Sequence, residues 1–96
     1  MSNAHWKYEI KPLHGFQEFK IPMGAVILDI KMQNGVPCFW AIVWEKMEKR
    51  TLFIVQYYTG ADHVELDNTD YLGTYMANEL VYHVFMIKSP YFKRSA

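Results

Sequence analysis

The sequence contains a single cysteine, Cys38, among 96 residues, so no disulfide can form within the chain. A small secreted fold held together by disulfides is therefore excluded, and we expect Cys38 to be a buried core residue in a reducing compartment. No apolar run approaches the roughly 18 residues of a membrane span, and no signal peptide is visible. We expect a soluble, intracellular protein that does not contact a membrane.

The chain also lacks an excess of charge, since ten Lys and Arg residues balance ten Asp and Glu residues. A broad basic surface for nucleic acid is therefore absent, although a local basic patch is compatible with this balance. The sequence has no G-x-S-x-G, H-E-x-x-H or P-loop pattern. Asp62-His63-x-Glu65 offers three metal-binding side chains, but such residues are more typical of a solvated loop. We predict no catalytic residues, no metal site and no cofactor.

The strongest structural signal that is present is a β-hairpin. Asn34-Gly35 separates the apolar runs Val26–Gln33 and Val36–Trp44, and both residues accept the positive φ of a type I′ turn. A shift of one residue would bury Asp29 and Lys31, so the pattern favours one register. The expected pairs are Gln33 with Val36, Met32 with Pro37, Lys31 with Cys38, Ile30 with Phe39, Asp29 with Trp40, Leu28 with Ala41, Ile27 with Ile42 and Val26 with Val43.

Apolar and polar residues alternate with a period of two elsewhere in the chain, which predicts more strands. These strands are His5–Ile10, Phe16–Ile21, Arg50–Thr59, Tyr71–Met76 and Leu80–Lys88. The strand Arg50–Thr59 is apolar on both faces, and we expect it to pair with Pro37–Trp44 in a meander spanning Val26 to Thr59. Gly73 within a strand predicts a bulge or a close backbone approach.

No segment shows the stripe of apolar residues that marks an amphipathic helix, so we predict an all-β fold. It is a small antiparallel sandwich or open barrel of six to seven strands, built on the central meander. Residues 1–96 form one domain. Residues 1–4 are interpreted as vector-derived or disordered, and residues 89–96 as a tail.

Aromatic residues make up 17% of the chain, which is more than a core of this size can comfortably bury. We expect several to be exposed together and to form a binding surface. His83 interrupts an apolar strand face, which indicates either a hydrogen-bonded structural histidine or a site residue. The candidate binding residues are Trp40, Trp44, Tyr57, Tyr58, Tyr75 and His83.

The order of several short motifs resembles a family of short bacteriophage and prophage proteins of unknown function. The motifs are Trp6-Lys7-Tyr8, Pro22-x-Gly24-Ala25-x-Ile27-Leu28, Gln33-Asn34-Gly35-x-Pro37-x-x-Trp40, Thr59-Gly60, Tyr71-Leu72-Gly73-Thr74 and Val81-x-His83-Val84-Phe85. The resemblance covers nearly the whole chain. It implies a phage-encoded, single-domain protein in the cytoplasm of a bacterial host, and it implies no activity or catalytic residues.

Three functions are compatible with these features. The leading hypothesis is a non-catalytic protein-interaction module, homodimeric and binding a host or phage protein through exposed aromatics and free strand edges. The alternative is a small-ligand pocket or minor enzyme centred on His83, with Tyr75, Tyr82 or Asp62 nearby. The third is weak binding of single-stranded nucleic acid, for which stacking aromatics would need flanking Lys or Arg.

Overall fold

The computed structural model describes residues 2–62 and 67–95, which form two mainly antiparallel sheets packed as a sandwich. The all-β prediction is confirmed, and the two sheets do not close into a barrel. The eight strands are β1 (Ala4–Glu9), β2 (Gly15–Pro22), β3 (Val26–Gln33), β4 (Val36–Val43), β5 (Lys49–Tyr58), β6 (Thr69–Ala77), β7 (Leu80–Ile87) and β8 (Lys93–Arg94). The first sheet has the order β1-β4-β3-β8 and the second the order β2-β5-β7-β6.

The hairpin between β3 and β4 forms at the predicted turn. Asn34 and Gly35 have φ values of 51° and 79°, as a type I′ turn requires. The predicted register holds from Gln33 opposite Val36 as far as Ile30 opposite Phe39. Beyond Ile30 the prediction is wrong, because a β-bulge shifts the pairing by one residue.

The bulge changes which side chains of β3 enter the core. Ile27 now pairs with Ala41, and Val26 pairs with Ile42. Both Ile27 and Ile30 are buried, whereas Asp29 remains exposed. An extra residue in one strand lets two side chains that are three positions apart point to the same side. The bulge therefore buries a second isoleucine without burying the aspartate.

The predicted meander is also wrong. Strand β5 pairs with β2 and β7 in the second sheet, while β4 pairs with β1 and β3 in the first. Because both β4 and β5 are apolar on both faces, each needs a neighbour on either side. Strands β1 and β2 supply those neighbours, so the chain crosses from one sheet to the other after Val43.

The core lies between the sheets and is formed by buried residues of β2 to β7 and of the connections, with partly buried residues of β1 packed against them. Its largest fully buried side chains include Phe39, Ile21 and Leu52. Tyr8 stacks on Phe39 with ring centroids 5.1 Å apart, and Phe19 meets Phe39 edge-on at the same distance. These contacts join strands from both sheets into one hydrophobic cluster.

Both chain ends take part in the fold. Ala4, in the segment interpreted as disordered, begins β1 and pairs with Val43. The predicted tail is wrong for residues 92–94, since Phe92 is buried and β8 runs parallel to the start of β3. Burial of the Phe92 ring holds the segment against β3, where the Lys93 amide donates to the Ala25 carbonyl at 3.1 Å.

Strand β6 has a bulge between Tyr71 and Gly73, as predicted from the glycine. A Cβ on Gly73 would lie 3.2 Å from the Ile30 Cβ atom of the opposite sheet. Such a contact is tighter than normal packing, so the missing side chain permits the two sheets to approach at this edge.

One polar side chain, Gln56, is completely buried, and it ties the linker between β1 and β2 to the second sheet. Its amide nitrogen donates to the Lys11 carbonyl at 2.8 Å and to the Leu13 carbonyl at 3.1 Å. Its oxygen accepts a hydrogen bond from the Tyr75 hydroxyl. Every hydrogen-bonding atom of this buried amide is therefore paired, which offsets the cost of removing it from water.

We predict that Gln56→Leu lowers the free energy of unfolding by about 2–5 kcal/mol, because the buried Tyr75 hydroxyl and the partly buried Leu13 carbonyl lose their partner. Urea denaturation followed by circular dichroism measures this loss. Gln17→Leu is the matched control, since Gln17 makes two exposed hydrogen bonds to Lys11 and should cost about 1 kcal/mol or less. Equal losses in the two variants would contradict the account.

We predict that Gly73→Ala destabilises the fold by about 1–3 kcal/mol more than Gly60→Ala does. Both glycines have positive φ, at 154° and 95°, but the added methyl group meets Ile30 at Gly73 alone and open space at Gly60. The same denaturation experiment compares the two variants. A smaller loss at Gly73 than at Gly60 would show that the sheets are not in close contact there.

Candidate functional site

The outer surface of the second sheet is unusually apolar for a side that faces away from the core. Val55 and Tyr57 on β5 are buried, but neither belongs to the hydrophobic cluster between the sheets. Alternation along β5 sends Leu52 and Ile54 into that cluster and the intervening residues outward. Val55 and Tyr57 are therefore buried by their neighbours on the outer surface of the sheet, whereas Phe53 on the same side is exposed.

A row of apolar side chains crosses all four strands of this sheet. Phe16 on β2 pairs with Val55, Val55 pairs with Phe85 on β7, and Phe85 pairs with Tyr71 on β6. The Tyr71 and Phe85 rings lie 5.4 Å apart. We call this row, together with Phe53, the outer aromatic face.

Three members of the outer aromatic face are well exposed: Phe16 at 63%, Tyr71 at 53% and Phe53 at 41% of their surface. Met76, on the same side of β6, is also exposed. Isolated exposed hydrophobic residues are normal on proteins, but a contiguous group is typical of an interaction site. Aromatic residues are thus exposed on one face, as expected, but none of the six candidate binding residues belongs to the outer aromatic face, and its role in binding stays a prediction.

The structure distributes the six candidate binding residues over several surfaces. Trp40 is half-buried on the outer face of the first sheet, and Trp44 is half-buried just after β4. Tyr57 and His83 are cross-strand partners on the second sheet, with Tyr57 buried. Tyr58 lies at the exposed end of β5 with His14, whose ring is 5.0 Å away. Their role in binding stays a prediction.

Tyr75 faces the core and does not lie on any of these surfaces. Its ring stacks on that of Tyr82 at 5.2 Å, and both residues are buried. Burial, and next the proximity of Tyr82, raise the pKa of the Tyr75 phenol well above its usual value. The Tyr82 hydroxyl donates to the Pro12 carbonyl at 3.0 Å. These two phenols are therefore engaged in holding the fold together.

His83 is held between two threonines on the outer surface of the second sheet. Its Nε2 atom lies 2.9 Å from the Thr59 hydroxyl, and its Nδ1 atom lies 3.2 Å from the Thr74 hydroxyl. The Thr74 hydroxyl also contacts the Tyr71 hydroxyl. Tyr75 and Tyr82 are on the opposite side of the sheet, so the structure does not assemble them with His83.

A cavity of about 630 Å³ lies on the outer face of the first sheet, where β3 bulges. It is lined by Leu28, Asp29, Lys31, Trp40, Arg94 and Ser95. The bulge places both Leu28 and Asp29 in the interval of β3 that faces Trp40. Bulges are frequent beside binding sites because they redirect side chains.

Arg94 lines this cavity, and several hydrogen bonds hold its guanidinium in place. Its Nη2 atom donates to the Asp29 carboxylate at 2.5 Å, and its Nε atom donates to the Tyr71 carbonyl at 3.1 Å. Its Nη1 atom donates to the carbonyls of Ser95 and Ile27 at 3.0 and 3.5 Å. Because Tyr71 belongs to the second sheet, this guanidinium also links the two sheets.

The thiol of Cys38 is buried on the same sheet, as predicted, and its Sγ atom lies 3.5 Å from the Val36 carbonyl. Burial is the main cause that raises the pKa of this thiol. A raised pKa keeps the sulfur in the unreactive thiol form. Cys38 is therefore not an activated cysteine.

Residues 2–62 and 67–95 contain no group of three His, Cys, Asp or Glu side chains arranged to hold a metal ion. Of the three metal-binding side chains in Asp62-His63-x-Glu65, those of His63 and Glu65 lie outside the described residues. The same described ranges contain no helix long and apolar enough to cross a membrane.

Sequence reasoning missed Phe16, Phe53 and Arg94. For Phe16 a signal was present, because it shares its side of β2 with Glu18 and Lys20, and that side faces solvent. Phe53 alternates with core residues in the same way. Arg94 gave no such signal, since its role depends on pairing between residues 67 positions apart in the sequence.

Comparison with known proteins gives one match. No curated protein and no solved structure matches the chain. A family model described as "Domain of unknown function (DUF7352)" matches residues 1–91. That description mentions neither a bacteriophage origin nor an activity, so the phage origin and the lack of catalytic activity stay predictions. Because the match spans nearly the whole sequence, the chain belongs to the DUF7352 family of domains of unknown function.

Proposed function

We propose that this protein is a non-catalytic protein-interaction module whose outer aromatic face packs against the same face of a second copy. The observation that supports this is the exposure of Phe16, Phe53 and Tyr71 together on one sheet. Aromatic residues are enriched in the centres of protein interfaces, where their burial supplies much of the binding free energy.

The size of the sheet fits such an interface. Four strands about 4.8 Å apart, each about eight residues long at ~3.3 Å per residue, give a projected face of roughly 500 Å². Side chains standing above the sheet make its accessible surface larger than this projection. A stable interface buries about 800 Å² on each partner. Face-to-face packing of the two copies would therefore come close to the area that a dimer needs.

The charges on this sheet favour a second copy over a charged partner. The whole chain has a net charge of +0, so bringing two copies together meets no net repulsion. Glu18 and Lys20 are both exposed on the outer side of β2, the edge strand. A two-fold axis brings the same patch of each copy together, and an antiparallel arrangement can place Glu18 opposite the second copy's Lys20.

The biological setting is part of the same proposal. The resemblance to short bacteriophage and prophage proteins supports an accessory protein that acts in the cytoplasm of a bacterial host cell. In that setting the homodimer would bind a host or phage protein through surfaces left outside the dimer interface. The edges of β1 and β2 are one such surface, because among the described residues each strand has a pairing neighbour on one side alone.

We predict that Phe53→Lys weakens dimerisation by tenfold or more, because it brings two like charges into an apolar interface. The cross-strand partner of Phe53 is Glu18, so the new lysine should be tolerated in the folded monomer. Sedimentation velocity across a concentration series measures the dimer dissociation constant.

Met32→Lys is the matched control. Met32 is 43% exposed, close to the 41% of Phe53, but it lies on the first sheet. This variant should dimerise like the wild type, and thermal unfolding should confirm that both variants are folded. A wild type that stays monomeric at millimolar concentration, or equal weakening by the two substitutions, would overturn the proposal.

A further inference from the structure

The cavity beside Trp40 combines an aromatic surface with groups of both charges. Lys31 and Arg94 line it as cations, and Asp29 lines it as an anion. Its volume of about 630 Å³ lies within the range of about 300–1,000 Å³ that is usual for small-molecule sites. It lies on the first sheet, whereas the outer aromatic face belongs to the second.

Two polar side chains of this cavity, Arg94 and Asp29, are bonded to each other in the absence of a ligand. Arg94 makes four hydrogen bonds, to Asp29, Tyr71, Ile27 and Ser95. These four bonds fix the position of the guanidinium. Because a guanidinium has five N–H groups, one N–H of Nη2 can still donate to a ligand. Side chains that are already fixed lose little entropy when a ligand binds.

The Asp29–Arg94 ion pair sets the electrostatics of the cavity. The Asp29 carboxylate accepts from Arg94 through Oδ1, and its second oxygen is available as a hydrogen-bond acceptor because this side chain is 65% exposed. With that pair neutral overall, the ammonium of Lys31 is the uncompensated charge in the lining. Lys7 on β1 is the cross-strand partner of Trp40 and adds a further cation beside β4, on the side away from β3.

From this arrangement we infer that the cavity binds a nucleotide unit, with its base stacked on Trp40 and its phosphate at Lys31. The indole supplies a stacking surface, which is sequence-tolerant because every base has a π-face. Asp29 can accept a hydrogen bond from an exocyclic amino group, as a carboxylate does from cytosine N4. Bases that carry an amino group should therefore bind more tightly than uracil.

Flanking cations are what a stacking aromatic needs in order to hold the phosphates of a nucleic acid. The sequence shows no overall basic excess, but the fold brings Lys7, Lys31 and Arg94 around a single tryptophan. A local basic patch of this kind is enough for a small site, where one or two phosphates are contacted.

The test is fluorescence titration of the full chain at low salt, with adenosine and uridine monophosphates and with a ten-nucleotide single strand of each base. Stacking on Trp40 should quench indole emission. We expect Trp40→Ala to weaken binding about 5- to 100-fold, which corresponds to the loss of one base–aromatic stack. We expect Lys31→Gln to reduce the salt dependence of oligonucleotide binding by about 0.7 in the log–log slope.

Trp44→Ala is the matched control, because Trp44 is half-buried like Trp40 but does not line the cavity. Lys31 is exposed, so Lys31→Gln tests the site even if Trp40→Ala fails to fold. Tighter binding of monophosphates than of the oligonucleotides assigns the site to free nucleotides, and the reverse result assigns it to single strands. Absence of binding by both kinds of probe at millimolar concentration, or binding that depends on Trp44 instead of Trp40, would overturn the inference.

Discussion

Strand β5 is apolar on both faces. A sandwich has one interior, so only one face of the strand can pack in the core. Leu52 and Ile54 fill the core, which leaves Val55 and Tyr57 on the outer side of the sheet. Removing these side chains from water requires apolar neighbours there, and Phe16 and Phe85 provide them across the adjacent strands. The side chains that cover Val55 and Tyr57 are themselves apolar. Two aromatic residues of the same row, Phe16 and Tyr71, are exposed to solvent as a result. The proposed dimer interface follows from this constraint.

The two sheets are joined by polar contacts as well as by the core. Gln56 fixes the linker that carries the chain from β1 to β2, and Arg94 joins Ile27 of the first sheet to Tyr71 of the second. Such hydrogen-bonded groups contribute little net free energy relative to apolar packing, but removing their partners costs much more. They therefore favour one arrangement of the sheets over alternatives with a similar core.

Local patterns predicted the strands well, because alternation and turn chemistry act over a few residues. Asn34-Gly35 predicted the hairpin and its register near the turn, and Gly73 predicted the bulge in β6. The bulge in β3 could not be predicted, because Val26–Ile30 reads as an uninterrupted strand. Its position depends on the gain from burying Ile27 together with Ile30, which involves the opposite sheet.

The pairing of strands that lie far apart in the sequence could not be predicted from local patterns. Strand β5 has no feature that distinguishes β4 from β2 as its neighbour, since both are apolar enough to pair with it. The candidate site shows the same limit. The aromatic excess indicated a binding surface, but the set that is exposed together depends on the pairing of Phe16 with Val55 and of Phe85 with Tyr71. The cavity beside Trp40 depends in addition on β8, and no pattern in residues 89–96 predicted a strand there.

The most direct test of the central claim is to map which surfaces are shielded from solvent at a concentration where the protein is assembled. Nuclear magnetic resonance with a soluble gadolinium chelate measures this as the relaxation enhancement of individual side chains. The ring protons of Phe16, Phe53 and Tyr71 should be enhanced less than their exposure in one copy implies, while the methyl group of Met32 on the other sheet is enhanced in full. Full enhancement at all four side chains would show that the outer aromatic face is uncovered and would contradict the account.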